Sequence, residues 1–189
     1  MNEKQYRMLK LLDGQILQCT NCDLHINGRT KPYWTHESKY ILIGEAPGYE
    51  EVKYCTPFVG TAGRQLWKIM GFHGFRREQF LILNAVNCRP MDDNKNSKPT
   101  RQEIGICKNW IHKYIKVLYP EIIIVMGTYA MDTITGESVG IMEKNATTAR
   151  CDEYDTTILF SVHPMMAIYK GGKGKQMLYD SLKALKEMV

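Results

Sequence analysis

Glu45 sits in a glycine-flanked turn, Gly44-Glu45-Ala46-Pro47-Gly48, directly after an apolar run. Pro57-Phe58-Val59-Gly60 follows, and Ala62-Gly63 then opens an amphipathic segment. Two more polar side chains stand in equivalent places: Asn84 ends the run FLIL, and His163, before Pro164, ends TILFSV. The glycines let backbone approach a ligand closely, and the proline stiffens the turn. A carboxylate, an aromatic ring, a carboxamide and an imidazole form a set for chemistry on something flat. Each has an ordinary explanation taken singly: a turn, a core phenylalanine, a loop histidine, a turn asparagine. Taken together, the ordinary explanation requires four suitable groups to fall at matching strand ends.

Four short apolar runs rich in β-branched residues read as parallel strands covered on both faces: residues 40–43 (YILI), 80–83 (FLIL), 122–126 (IIIVM) and 157–162 (TILFSV). Helical patterns separate them, over residues 62–71 and 100–118, briefly after Gly127, and over 175–188; a further helix covers residues 3–12. Thr100 and Glu103 have the spacing of a capping box. Alternating strands and helices predict an α/β chain, a three-layer α/β/α sandwich with a central, mainly parallel four-stranded sheet and one domain over residues 1–189. Residues 22–38 and 91–99 read as polar loops. In a parallel sheet, the residues that follow each strand meet on one edge. Glu45, Phe58, Asn84 and His163 are therefore expected in one cleft.

The chain has 189 residues, 44% hydrophobic and 24% charged, as ordinary globular proteins do. No apolar run approaches the ~20 residues of a membrane helix. The N-terminal MNEKQYRMLKLLDGQ has no signal-peptide core, so a cytoplasmic protein is expected. A net charge of +5 leans mildly toward a polyanionic partner. No heptad or exposed apolar stripe suggests an oligomer, and a monomer is expected.

Six cysteines in such a chain do not read as a disulfide framework. Cys19 and Cys22 form a C-x2-C pair, with Cys88 and Cys107 far downstream and Cys55 and Cys151 left over. The spacing fits an all-cysteine zinc site, an iron–sulfur site or buried thiols. Lys170-Gly171-Gly172-Lys173-Gly174-Lys175 reads as a glycine-rich loop that either tracks nucleic-acid phosphate or is merely solvated. Arg29, Lys31, Arg89, Lys98 and Arg101 are further basic candidates.

The chain resembles the iron–sulfur, family 4 branch of the uracil-DNA glycosylase superfamily. The resemblance rests on Gly44-Glu45-Ala46-Pro47-Gly48, on Pro57-Phe58-Val59-Gly60 with Ala62-Gly63, on Asn84-Ala85-Val86-Asn87-Cys88-Arg89-Pro90 and on His163-Pro164, in order, over about residues 19–188. It implies a water-using DNA glycosylase that excises uracil from single- or double-stranded DNA carrying a flipped base, for base-excision repair. It implies Glu45 at the water and sugar, Phe58 stacked on the base, Asn84 on the base edge and His163 on the base carbonyl. It further implies Glu51 lining the pocket near the pyrimidine C5, with Ala46 grouped among the base-binding residues. Cys19, Cys22, Cys88 and Cys107 match the ligands of a [4Fe–4S] cluster, whose role is expected to be structural.

The chain departs from that pattern at Val52 (usually aspartate), Cys55 (usually glycine), Asn87 (commonly lysine) and Met165-Met166-Ala167-Ile168-Tyr169 (usually leucine-rich). Val52 and Cys55 leave open a modified pyrimidine as the target, and a non-catalytic nucleic-acid-binding module is the remaining alternative. The implied chemistry is coherent. Cleaving a base–sugar bond creates an oxocarbenium-like sugar, which a carboxylate favours, and an anionic base, which donors stabilise. Asn84 offers the donor and acceptor that a uracil edge needs. Met165, Met166 or Ile168 are candidate wedges for the gap left by a flipped base, and Lys170, Lys173 and Lys175 candidate phosphate contacts.

Overall fold

A computed structural model describes residues 1–93 and 95–189. Its helices are α1 (Glu3–Leu17), α2 (Tyr49–Tyr54), α3 (Thr61–Phe72), α4 (Arg101–Leu118), α5 (Thr128–Thr135), α6 (Met166–Tyr169) and α7 (Gly171–Glu187). Its strands are β1 (Tyr40–Gly44), β2 (Phe80–Asn84), β3 (Met91–Asp92), β4 (Lys95–Asn96), β5 (Ile122–Met126), β6 (Thr148–Cys151) and β7 (Thr156–Ser161).

The main sheet runs β2-β1-β5-β7-β6, and only β6 is antiparallel to its neighbour. It therefore has five strands rather than four. β6 is an exposed edge strand of sequence TARC, held by pairing with β7, and has no apolar alternation to announce it. The segment 91–99 carries the two-residue hairpin β3–β4; its Asn94 lies outside the described residues. α1 runs five residues longer than its pattern predicts.

Alternate residues of each central strand feed two cores. Ile41, Ile43, Leu81, Leu83, Ile123 and Val125 pack with Leu9, Leu12 and Ile16 of α1 and with Ile111, Tyr114, Ile115 and Leu118 of α4. Leu42, Ile82, Ile122, Ile124 and Met126 pack with Leu66 and Met70 of α3 and with Leu178, Leu182 and Leu185 of α7. This is the period-2 logic of a sheet covered on both faces. α4 begins as its sequence predicts: the Glu103 amide donates to Thr100 Oγ1 at 3.2 Å, and the Thr100 amide donates to Glu103 Oε2 at 2.7 Å. Buried Asp13 secures α1 to α4 and to the following loop, accepting from Tyr114 Oη at 2.7 Å and Trp34 Nε1 at 3.2 Å.

The segment from Lys170 to Lys175 is not a loop. α7 starts at Gly171, so Lys173 and Lys175 lie on its first two turns and Lys170 is its cap. Three glycines in six residues argue locally for a loop, and packing overrides that. Gly174 is buried where a side chain would strike the Met166 carbonyl of α6, so the close passage of α6 requires glycine.

The chain leaves β1 toward β2 on one side of the sheet and later returns to β5 on the other. The crevice beyond the carboxyl ends of β1 and β5 is thus the topological switch point, where open α/β sheets bind ligands.

Candidate functional site

A cleft of about 910 Å³ occupies that crevice. Glu45 and Ala46 enter it from the end of β1, Asn84 from the end of β2, Thr128 and Tyr129 after β5, and His163 after β7. Phe58 enters from the loop between α2 and α3. The four side chains expected to meet at one sheet edge do so.

Phe58 is buried and forms part of the floor. Gly44 pairs in register with Asn84, and a side chain there would meet the Phe58 ring at 2.5 Å and Asn84 Oδ1 at 2.6 Å. Glycine at 44 is what lets ring and carboxamide share one wall. Asn84 is 3% exposed, yet its carboxamide makes no hydrogen bond among the described residues. A buried amide normally finds partners, so one open to a cleft is set to read a ligand.

His163 stands 6.3 Å from Phe58, ring centre to ring centre. Its Nδ1 accepts from the Met165 amide at 3.3 Å, which leaves the proton on Nε2. Burial lowers its pKa from 6.5 to about 4, so the ring is a neutral donor at pH 7. One edge still opens to the cleft, although protein surrounds the rest. The unfolded chain binds a proton near pH 6.5 that the folded site refuses until about pH 4. Stability contributed by His163 is therefore full above 6.5 and lost as pH falls toward 4. Urea unfolding at pH 7.5 and pH 5 should show His163→Gln losing roughly 1–3 kcal/mol less than the wild type over that interval. Equal losses would refute it.

The Glu45 carboxyl has its pKa raised by burial, partly offset by the nearby Lys98 ammonium. Among the described residues, none donates a hydrogen bond to its carboxylate. Glu51 also lines the cleft, but its carboxylate is engaged. Oε1 accepts from the amides of Val59 (3.1 Å) and Gly60 (2.6 Å), and Oε2 from Gly48 (3.1 Å). It ties the turn that carries Glu45 to the loop that carries Phe58.

Met165 and Met166 reach the cleft, as does Tyr169, which is 75% exposed. Ile168 is exposed outside it, and Lys170, Lys173 and Lys175 are exposed away from its walls. Val52 does not line it either: its Cγ1 sits where a side chain on Gly28 would be. Cys55 caps α2 in the left-handed region (φ 48°), a conformation that costs a non-glycine residue about 1–2 kcal/mol.

Several cleft residues escape sequence reasoning. Tyr129 and Thr128 follow β5 and could have been found by the same strand-end rule. Tyr49 lines the rim with the Arg89 guanidinium 5.6 Å from its ring centre, and Asn96 and Ser97 arrive on the hairpin segment beside Lys98, a basic candidate from the sequence whose place in the cleft only the fold gives. Nothing in a polar loop marks which lysine will face a carboxylate.

The cysteines gather elsewhere. Cys19, Cys22, Cys88 and Cys107 line one small pocket with Ile16, Leu24, Val86 and Trp110. None of the four is in a disulfide, and burial pushes the pKa of Cys88 up to about 11 and that of Cys107 up to about 12. The Asn87 amide and its Nδ2 both donate to Cys107 Sγ, at 3.3 and 3.4 Å. Such donors are the usual surroundings of a metal-bound thiolate. Among the described residues, no three Cys, His, Asp or Glu side chains are close enough to share one metal ion. The wall between this pocket and the cleft is a separate apolar cluster of Leu24, Ala85, Val86, Cys88 and Ile104, against which Ala46 and Tyr129 pack.

The model of the uracil DNA glycosylase superfamily matches residues 32–186. A type-4 uracil-DNA glycosylase of Thermotoga maritima is 33% identical over 138 residues, covering 71% of this chain and 70% of its own. One of Sulfurisphaera tokodaii is 28% identical over 193 aligned positions, covering 95% and 84%. One of Pyrobaculum aerophilum is 28% identical over 170, covering 86% and 85%.

Proposed function

Given that the chain belongs to the uracil DNA glycosylase superfamily, we propose that it hydrolyses the bond between uracil and deoxyribose in DNA, leaving an abasic site. One observation carries this reading. Glu45, Asn84 and His163 surround Phe58 in one cleft, and the three polar side chains leave unused hydrogen-bonding capacity facing it.

In this mechanism the flipped uracil stacks on Phe58, worth ~1–3 kcal/mol in nucleic-acid sites. The Asn84 carboxamide donates to and accepts from the base edge. As the N-glycosidic bond breaks, its electron pair leaves with the base, and His163 Nε2–H donates to the carbonyl oxygen where that charge grows. A neutral donor fixed in advance suits this role. The Glu45 carboxylate faces the sugar, favours the cationic C1′ and orients a water, whose oxygen bonds to C1′ as its proton passes to the carboxylate and then to solvent, while the departing uracil anion takes up a proton from solvent. The products are free uracil and an abasic sugar.

Lys98 lies in the cleft without standing at a strand end. Its role here is to favour the ionised form of Glu45, and borohydride should trap no covalent adduct. Met165 and Met166 are the wedge candidates that remain beside the cleft. Cys19, Cys22, Cys88 and Cys107 would hold a [4Fe–4S] cluster, a thiolate-bound redox-capable group that here ties α1 and its following loop to β2 and α4. The whole chain acts as one domain, as a monomer.

Val52 and Cys55, the departures that raised a modified base, are not cleft residues. That favours uracil. The non-catalytic alternative would need no unpartnered carboxylate beside the base pocket.

The deciding experiment incubates the protein with uracil-containing single-stranded and duplex oligonucleotides, then cleaves abasic sites with hot alkali. Cutting at uracil and not at thymine is expected. No cutting by folded, cluster-loaded protein would overturn the reading.

Lys170, Lys173 and Lys175 give a separate expectation. If they track phosphate from the start of α7, replacing all three with alanine should flatten the salt dependence of DNA binding by about two to three units of slope. An unchanged slope would mark them as solvated surface.

A further inference from the structure

Arg77 is a half-buried guanidinium with no carboxylate in salt-bridge range among the described residues. Such a group is expensive unless its donors are used. They are used on one loop. Its two terminal nitrogens donate to the carbonyls of Phe58 (3.1 Å) and Pro57 (2.5 Å). Its plane packs between Tyr33 and Trp67, with ring centres 4.4 and 5.0 Å away. Trp67 Nε1 donates to the same Phe58 carbonyl at 3.1 Å.

Phe58 needs such support. Its φ of 53° lies in the left-handed region, which costs a residue with a side chain about 1–2 kcal/mol. Strain of this kind persists where surrounding contacts hold it. Glu51 holds the next two amides, and Arg77 with Trp67 holds the carbonyls of Pro57 and of Phe58 itself. The carboxylate and guanidinium thus grip opposite polar groups of one four-residue turn. Arg77 opens the short 3-10 helix Arg77–Gln79 that feeds β2, so the grip is anchored to the sheet that carries Asn84.

We infer that Arg77 is the positioning residue for the stacking ring: it fixes Phe58 at the angle that receives a planar base and so sets the cleft's affinity for that base. This rests on the reading that Phe58 stacks on uracil. Lysine cannot replace Arg77, because it lacks the planar fork that reaches two carbonyls and the flat face that packs between two rings.

The test uses Arg77→Lys in three arms. Hydrogen exchange at the Val59 and Gly60 amides should quicken at least tenfold, an arm independent of any ligand. Inhibition by free uracil should weaken roughly 5- to 50-fold, the loss of much of a stacking contact, while affinity for abasic oligonucleotide changes less than twofold. In a Phe58→Ala background, Arg77→Lys should weaken uracil inhibition by less than a further twofold. Unchanged exchange overturns the clamp whatever the ligand. An undiminished effect without the Phe58 ring overturns its assignment to that ring. If the wild-type protein neither cuts at uracil nor is inhibited by it, the substrate reading fails and the exchange arm still judges the clamp. Should Arg77→Lys not fold, Trp67→Phe removes one donor and should move the same readouts about 2- to 5-fold.

Discussion

Glu45→Gln is expected to lower uracil release by roughly 10²–10⁴-fold while leaving the protein more stable than the wild type at neutral pH. Both effects have one cause. Burial raises the carboxyl pKa above its ordinary value of 4.5 because the charged form is poorly solvated in the cleft. Over the interval between the unfolded and folded values, the folded protein binds more protons than the unfolded chain. Stability from this group is therefore present at low pH and lost as pH rises through the folded pKa. Glutamine keeps the shape, carries no charge and avoids that loss. It also removes the anion that faces the developing sugar cation. Activity should accordingly need the ionised form and decline in acid, with the descending limb set by Glu45 above 4.5, before His163 takes a proton near 4. Single-turnover excision and thermal unfolding on the same preparation test this. A glutamine variant that is as active as the wild type would remove Glu45 from the mechanism. One that is inactive and also less stable would mean that Glu45 is a structural group.

Removing the proposed cysteine ligands should have the second-largest effect. Anaerobically purified protein is expected to be brown with about four irons per chain. Cys88→Ala and Cys107→Ala should each lose most of that iron. Metal affinity at a site that the unfolded chain lacks is folding free energy, and each kcal/mol lost lowers the melting midpoint of a chain this size by about 2–4 °C. The loss should appear first in the segment from Cys19 to Arg29, because Arg29 donates to the carbonyls of Ile16 (3.1 Å) and Cys19 (2.5 Å) beside the pocket. Cys55→Ala and Cys151→Ala should leave iron content unchanged, since neither residue lines that pocket. Colourless protein containing one zinc would overturn the cluster and leave the glycosylase reading intact. The cleft's polar groups are separated from the cysteine pocket by the Leu24–Ile104 apolar cluster.

The central strands and the strand-end set were legible in the sequence for a simple reason. Strands covered on both faces must be short and apolar, and β1, β2, β5 and β7 are. Parallel pairing then brings their carboxyl ends to one edge wherever the helices pack. The capping box of α4 was legible because it is a contact between residues three apart. β6 was not, because an exposed edge strand is defined by its partner rather than by its own composition. The start of α7 was misread because a close crossing by α6 required glycine at a helical position.

By itself, the sequence determined the fold class, the four groups of the cleft, the four cysteines and the resemblance that joins them. These depend on local pattern and on strand order. Tertiary structure alone decided the state of those groups: that His163 is neutral with its proton on Nε2, that Glu45 is desolvated beside Lys98, that Glu51 is bound to three amides, that Val52 and Cys55 lie off the cleft, and that Arg77 holds the loop of Phe58. A side chain's protonation and partners depend on what surrounds it in space, and those surroundings are set by how the chain folds back on itself, whether the neighbour is Met165 two residues from His163 or Lys98 more than fifty from Glu45.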